Sequence, residues 1–164
     1  MLTFRSNTKL LFIALFAMSY PAFIGNSFAK EVKIAFDVEK KYSNIGELYV
    51  SVSLTEDSFN KAIQESNADA PSAIRTVIPA STDVKEVTLQ LPDDTKEFAI
   101  VAFQDINGNG KLDKGLFGRT KEPVGFSNNP SHTFGPPSYS DSVVTISSAD
   151  KDNNEPLLLN IKMG

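Results

Sequence analysis

Side chains that carry oxygen recur at alternate positions in one short stretch of the chain, and this spacing could hold a hard cation. Asp105, Asn107, Asn109 and Asp113 stand at loop positions one, three, five and nine, and Gly110 stands at position six. Calcium takes about six to eight oxygen ligands, and EF-hand loops supply them at this spacing around a glycine turn. The stretch therefore predicts a calcium site with these four side chains among its ligands.

Two further residues complete the predicted shell. Position seven of such a loop contributes its backbone carbonyl, so Lys111 is compatible with the pattern. Position twelve is ordinarily a bidentate Glu, but Leu116 stands there. We expect the next acid, Glu122, to fold back and supply the missing ligand. The alternative is a plain turn, in which Asn and Asp side chains cap their own backbone and glycines take positive φ.

Catalytic chemistry has few candidate residues. The chain has one histidine, His132, and no cysteine, which excludes thiolate zinc sites and thiol redox chemistry. His132 lies between Ser131 and Thr133, where we expect a solvent-exposed side chain rather than the base of a triad. The alternative is a hydrolase that acts on a glycan or a peptide through the carboxylates of Asp113 and Glu122.

The first 29 residues predict export. Arg5 and Lys9 precede an unbroken apolar run of nine residues, 10–18, and small residues lead to Ala29. This order is typical of a secretory signal peptide cleaved after Ala29. The apolar run is shorter than the roughly 20 residues that a transmembrane helix needs.

The remaining chain is acidic. Removal of the segment 1–29 leaves 14 basic and 20 acidic residues, a net charge of −6. An acidic domain with scattered lysines has no electrostatic footprint for nucleic acid or for an anionic membrane, and we expect no membrane insertion after signal cleavage. The length of 30–164 suits one domain. We therefore expect a single domain that is periplasmic or secreted and folds without disulfides.

Alternation of apolar and polar residues predicts a fold built from β-strands. The run Phe98–Phe103 is apolar on both faces, which indicates a central strand, and a weaker run over Ile74–Ile78 ends at Pro79. About seven short strands between turn-rich segments predict an all-β, sandwich-like fold. The other predicted strands are Val32–Val38, Leu48–Leu54, Val87–Leu91, Val143–Ser147 and Leu157–Lys162.

Two other segments stand out. Residues 57–64 have apolar side chains at helical spacing and Asp57 as an N-cap candidate, which favours a helix or an anchored loop. Residues 104–140 form the longest stretch without a strand pattern, and such a stretch is usually functional or fixed in place. Its aromatic side chains, in 125–130 and 135–139, favour an anchor on the sandwich over a ligand-binding surface.

These residues together resemble a family of exported bacterial proteins, the domain of unknown function 2141. Many relatives have His where Gln104 stands. The resemblance implies an immunoglobulin-like or prealbumin-like antiparallel β-sandwich, secreted or periplasmic, with no established activity. It rests on the strand 98–105, the Asn/Gly stretch 107–113, Gly118, Glu122, the run Gly125–Asn129 and the piece Pro137–Asp141.

The sequence thus favours a non-catalytic, calcium-stabilised exported domain that binds a protein, a peptide or a glycan through the segment 104–140. In that hypothesis the ion ties the segment to the sandwich, so that metal binding and folding are coupled. Two alternatives stay open: the hydrolase described above, and a purely structural envelope or assembly module that needs no metal and binds through a sheet edge.

Overall fold

A computed structural model of the protein describes residues 28–65, 74–80, 86–116, 119–133, 135–152 and 155–164. In this part of the chain eight strands and three α-helices form. The strands are β1 (Phe28–Val38), β2 (Glu47–Ser53), β3 (Ile74–Pro79), β4 (Glu86–Pro92), β5 (Glu97–Asp105), β6 (Val124–Phe126), β7 (Val144–Thr145) and β8 (Leu157–Met163). The helices are α1 (Glu56–Glu65), α2 (Tyr139–Ser142) and α3 (Ser148–Asp152), and a 3-10 turn spans Lys40–Tyr42.

The strands form two sheets that face each other, which confirms the predicted all-β sandwich. The smaller sheet has the order β4-β1-β8, and the larger has the order β3-β2-β5-β6, with β7 paired to one end of β5. Alternate residues of β1, β2, β4 and β5 point into one apolar core between the sheets, as period-two patterning requires. Ile34, Val50 and Ile100 are fully buried there.

The central strand β5 is buried on both faces, as its sequence predicts. Its second face carries Ala99, Val101 and Phe103, which pack with side chains from α1, α2 and β6. Phe59 of α1 is fully buried against this face. The larger sheet is therefore covered on one side by the smaller sheet and on the other by helices and by the long segment after β5.

Three details of the fold differ from the sequence prediction. The pairing of β1 with β8 is parallel, so the sandwich is not wholly antiparallel. The strand predicted over 143–147 is reduced to the two residues of β7. The segment 104–140 contains a strand, β6, that pairs with β5. Apolar periodicity identifies which face of a strand is buried, but it carries no information about strand direction or about strands of three residues.

Helix α1 confirms the helical alternative for residues 57–64, but its cap is not Asp57. The Thr55 hydroxyl accepts a hydrogen bond from the backbone N–H of Ser58 (3.2 Å), which is the N-cap interaction. Asp57 instead pairs with Lys61, one turn further on, at 2.7 Å. No helix in the described residues is long and apolar enough to cross a membrane. The predicted signal peptide falls almost wholly on residues 1–27, which lie outside the described part of the chain.

Candidate metal-binding loop

Strand β5 delivers the first residue of the loop. Asp105 is the last residue of β5, is only 1% exposed, and lies opposite Glu47 of β2. The preceding residue, Gln104, is fully buried. Its Nε2 donates to the carbonyls of Tyr42 (2.7 Å) and Ile45 (2.5 Å). The end of β5 is therefore fixed both by its sheet neighbour and by the turn that precedes β2.

The Asp105 carboxylate holds the loop in a tight turn. Its Oδ1 accepts from the N–H groups of Gly108 (2.7 Å) and Asn109 (3.2 Å), and its Oδ2 accepts from Gly110 (2.6 Å). The two glycines have φ of 75° and 72°, a region that side-chain-bearing residues seldom adopt. Three N–H groups thus converge on one buried carboxylate, and the glycines at loop positions four and six make this possible.

Glu122 folds back onto the loop from the start of β6. Its Oε1 accepts from the N–H of Ile106 (2.8 Å), and its Oε2 accepts from the N–H of Asp113 (2.9 Å). The side chain is 6% exposed. The predicted return of Glu122 is therefore present, and its carboxylate joins both ends of the loop through backbone N–H groups.

Three polar side chains meet on the outer side of the loop. Asp113 accepts from the Nδ2 of Asn107 (2.8 Å) on one carboxylate oxygen and from the Nδ2 of Asn109 (3.1 Å) on the other. The amide oxygens of Asn107 and Asn109 accept from the N–H groups of Asn109 (3.1 Å) and Lys111 (2.9 Å). The Lys111 side chain is exposed.

The structure therefore brings Asp105, Asn107, Asn109, Asp113 and Glu122 into one loop, with the backbone of Lys111 beside them. Any cation there would depend on the asparagine oxygens. In the described residues no three side chains of His, Cys, Asp or Glu converge as a metal-binding group.

In the part of the chain that the structure describes, no basic side chain forms an ion pair with the carboxylates of the loop. Within the described residues the ion pairs are Lys41–Glu39 and Lys61–Asp57, and neither involves the loop. Buried carboxylates are costly unless they are paired, hydrogen-bonded or bound to a metal. In this structure, backbone and amide N–H groups alone stabilise the three carboxylates of Asp105, Asp113 and Glu122.

The negative potential of the loop extends to a neighbouring tyrosine. Tyr49 stacks on Phe103 with ring centroids 4.9 Å apart, and its hydroxyl donates to Glu47 at 3.2 Å. Burial raises the pKa of the Tyr49 phenol above its ordinary value of 10.0, and the charges of Glu47 and Asp105 raise this pKa further. A nearby negative charge disfavours the phenolate, which is the cause of this second contribution.

Within the described residues, His132 contacts an aromatic ring and a backbone carbonyl rather than an acidic side chain. Its ring packs edge-on against Phe126, with ring centroids 5.4 Å apart, and its Nδ1 lies 3.3 Å from the carbonyl of Pro130. The ring helps to line an open groove of about 1260 Å³, whose lining also includes Val101 and Val124.

The Ser-Asn-Asn run after β6 anchors the long segment to both sheets. Ser127 accepts from the N–H of Ile100 in β5 (2.9 Å) and donates to the carbonyl of Ser142. Asn129 donates to the carbonyl of Asn160 (2.8 Å) and accepts from the N–H of Lys162 (2.7 Å), both in β8. The anchor predicted for the aromatic side chains of this segment is confirmed by Phe126 and Tyr139, which are buried in the core on the second face of β5.

Sequence reasoning did not identify the role of Asn129 in this anchor. The residue has φ of 52°, and the preceding Asn128 has φ of 63°. Two consecutive asparagines after a short strand are a signal for such a turn, because Asn tolerates the left-handed conformation better than most residues.

Fold and site together define a class: an all-β sandwich in which an Asp/Asn loop at the end of the central strand is closed by a distant glutamate. The comparison with protein families agrees with the resemblance noted above. Residues 36–154 match the family described as "Uncharacterized protein conserved in bacteria (DUF2141)", and the chain belongs to that family. No curated protein and no solved structure matches the chain.

Proposed function

We propose that this protein is a non-catalytic exported domain whose loop 105–113 binds Ca²⁺, and that the ion fixes the segment 104–140 as a surface for a protein, peptide or glycan partner. The observation that carries the proposal is the set of three carboxylates, two of them buried, which form no ion pair with a described basic side chain. A divalent cation is the simplest group that would offset this charge.

The carboxylate oxygens of the loop retain acceptor sites that could bind an ion. Each carboxylate oxygen has about two acceptor sites. Glu122 uses one site on each oxygen, and Asp113 also uses one on each. The neutral Nδ2 groups of Asn107 and Asn109 donate the hydrogen bonds that Asp113 accepts. A rotation of each amide would turn its oxygen, which calcium prefers, toward the ion at the expense of the bond that this oxygen accepts from a backbone N–H.

Calcium rather than zinc suits these ligands. The candidate atoms are carboxylate, amide and backbone oxygens, which are the donors of hard cations. Zinc favours nitrogen and sulfur, and the nearest such group along the chain is His132, ten residues beyond Glu122. A metal bound at the loop would join β5, the start of β6 and the intervening residues, and the ion would therefore stabilise the folded state.

Thermal unfolding in EGTA and in calcium tests the proposal. Calcium at 100 times its Kd should raise the free energy of unfolding by about 2.7 kcal/mol, and EGTA should reverse the change. Asp113→Asn should abolish most of this increase while retaining an acceptor for the asparagines. Asp94→Asn is the control, since Asp94 is an exposed aspartate of another turn and its replacement removes the same charge.

Identical melting curves in calcium and in EGTA would contradict the calcium proposal and favour the structural module that needs no metal. Export is a separate part of the proposal and rests on residues 1–29. N-terminal sequencing of the protein recovered outside the cytoplasm should begin at Lys30. A protein that stays in the cytoplasm with residues 1–29 intact would contradict export.

A further inference from the structure

The candidate loop contains both Asn–Gly bonds of the chain. Gly108 follows Asn107, Gly110 follows Asn109, and no other asparagine in the sequence precedes a glycine. Both asparagines are exposed to solvent. An asparagine before a glycine can deamidate, because glycine has no Cβ to hinder the attack of its own backbone nitrogen on the preceding side chain. The loop is therefore the place in this chain where such a modification is chemically easiest.

Deamidation needs no reactant other than water. The backbone nitrogen of the glycine forms a bond to Cγ of the asparagine, and the amide nitrogen leaves as ammonia together with the proton of the attacking N–H. Water then opens the resulting cyclic succinimide at either carbonyl. One opening gives aspartate, and the other gives isoaspartate, whose main chain runs through the former side chain. Both products carry a carboxylate where the amide stood.

The Asp105 carboxylate holds both attacking nitrogens in the folded loop. The N–H of Gly108 donates to its Oδ1 (2.7 Å), and the N–H of Gly110 donates to its Oδ2 (2.6 Å). Ring closure requires the nitrogen to lose its proton and the peptide plane to turn toward Cγ. A short bond to a buried carboxylate opposes the rotation, and the negative charge disfavours a deprotonated nitrogen beside it.

The two asparagine amides are also held on both sides. The Nδ2 groups of Asn107 and Asn109 donate to Asp113 at 2.8 and 3.1 Å. Their oxygens accept from the backbone N–H groups of Asn109 (3.1 Å) and Lys111 (2.9 Å). Neither amide can meet its glycine nitrogen until these bonds break. Deamidation therefore requires local opening of the loop, and its rate follows the frequency of that opening.

We propose that Asn107 and Asn109 are deamidation sites that the closed loop protects, and that their modification makes loop closure depend on a cation. In the closed loop their amides donate to Asp113. After modification, carboxylates take the place of these donors, and like charges in contact repel each other. The modified loop then stays open unless a cation binds between the carboxylates. This second step rests on the proposed calcium site, whereas the first step does not.

Mass spectrometry of the ageing protein tests the first step. The protein is incubated in EGTA in water enriched in heavy oxygen, so that each new carboxylate carries the label. We expect label at Asn107 and Asn109 and none at Asn60 or Asn160, which do not precede a glycine. Conversion in guanidinium chloride should be at least about tenfold faster than in the native protein. Equal rates in both states would overturn the protection, and conversion confined to the denatured protein would overturn deamidation of the folded one.

Two variants open the loop from different sides. Asp105→Asn keeps the shape of the side chain but loses its charge and one acceptor, and it should speed conversion by about tenfold, the effect of losing one hydrogen bond to a charged group. Glu122→Gln should act similarly and covers the case in which Asp105→Asn does not fold. The control Asp94→Asn alters an exposed aspartate of another turn and should stay within about twofold. Native rates in folded Glu122→Gln and in folded Asp105→Asn would overturn the proposal.

Gly108→Ala separates the chemistry from the opening of the loop. An added Cβ meets no atom within 4 Å, but φ of 75° is strained for alanine, so the loop should open more often. Asn107 should nevertheless lose most of its conversion, because the new methyl group hinders the attack, whereas Asn109 should convert faster. Undiminished conversion of Asn107 would show that the adjacent nitrogen is not the attacking group and would overturn the mechanism.

Thermal unfolding of N107D/N109D tests the second step. In EGTA this variant should melt lower than the native protein by roughly 5 °C, and calcium should raise its Tm by more than it raises that of the native protein. The control N60D/N160D adds the same two charges at exposed positions and should shift far less. A Tm equal to that of the native protein in EGTA would overturn the second step. If calcium changes neither Tm, the proposed calcium site and the second step are wrong, while labelled Asn107 and Asn109 would still support the first step.

Discussion

Replacing Glu122 with Gln tests whether this carboxylate holds the loop to the sandwich. The two side chains have nearly the same shape, so the change removes the charge and one acceptor and creates no cavity. In the native protein both oxygens accept from backbone N–H groups, those of Ile106 (2.8 Å) and Asp113 (2.9 Å). Glutamine can accept only one of these bonds, and its NH₂ group must face the other N–H.

The expected loss of stability follows from these contacts. A buried N–H left without an acceptor costs about 1–3 kcal/mol, and the remaining bond loses its charge assistance, worth about 1 kcal/mol. We therefore expect the free energy of unfolding to fall by about 2–3 kcal/mol, which lowers Tm by roughly 10 °C for a domain of this size.

The measurement is urea unfolding in EGTA, so that bound calcium does not contribute. Glu86→Gln is the control, because Glu86 is exposed on β4 and loses the same charge. The control should unfold within about 0.5 kcal/mol of the native protein. A Glu122→Gln variant that also falls within that range would refute the idea that Glu122 closes the loop.

Three further predictions concern the sandwich around the loop. Gly125→Ala should destabilise the protein by about 1–3 kcal/mol or more, because an added Cβ would lie 2.6 Å from Cγ2 of Ile161 and 2.7 Å from the carbonyl oxygen of Lys162. The control Gly115→Ala should not destabilise it, because no atom lies nearer than 3.6 Å to the added Cβ. Equal melting temperatures of the two variants would contradict this packing. Asn129→Ala removes two hydrogen bonds to β8 and should lower the free energy of chemical unfolding by about 1–3 kcal/mol. The control Asn160→Ala removes an exposed side chain and should lower it much less. Burial raises the pKa of the phenols of Tyr49 and Tyr139 above 10.0 in the folded state. The folded state therefore retains these protons more strongly than the unfolded state, and the free energy of unfolding should fall as pH rises through about 10. The double variant Y49F/Y139F should show a smaller fall, and a pH dependence equal to that of the native protein would contradict the raised pKa values.

Strand faces were predictable from the sequence because period-two burial is a local property of the chain. Phe98–Phe103, apolar on both faces, predicted a central strand, and β5 lies between β2 and β6 with a core on each side. The parallel register of β1 and β8 was not predictable in this way. It depends on the pairing of two strands that are more than 120 residues apart in the chain, and the periodicity within one strand gives no information about its partner or its direction.

The candidate loop was also predictable only in part from the sequence. The positions of Asp105, Gly108 and Gly110 indicated a tight turn around a carboxylate, because positive φ and Asx capping are encoded within a few residues. The return of Glu122 was predicted only as the nearest remaining acid. Its actual hydrogen-bond partners are the backbone N–H groups of Ile106 and Asp113, and tertiary packing determines which N–H groups this carboxylate reaches.

Composition concealed one feature that the structure displays. A net charge summed over the chain indicated scattered lysines, but Lys114, Arg119 and Lys121 follow the loop closely in sequence and are all exposed, whereas Glu122 is buried. Net charge describes long-range behaviour, whereas recognition at short range depends on which charges reach the surface.

A crystal structure grown in calcium would test the central claim most directly, through anomalous difference density at the loop. We predict a peak with about six to eight oxygen ligands at roughly 2.3–2.6 Å, including Asp105, Asn107, Asn109, Asp113 and the Lys111 carbonyl, with the two asparagine amides turned so that their oxygens face the ion. Absence of a peak, with both asparagine Nδ2 groups still donating to Asp113, would contradict the claim.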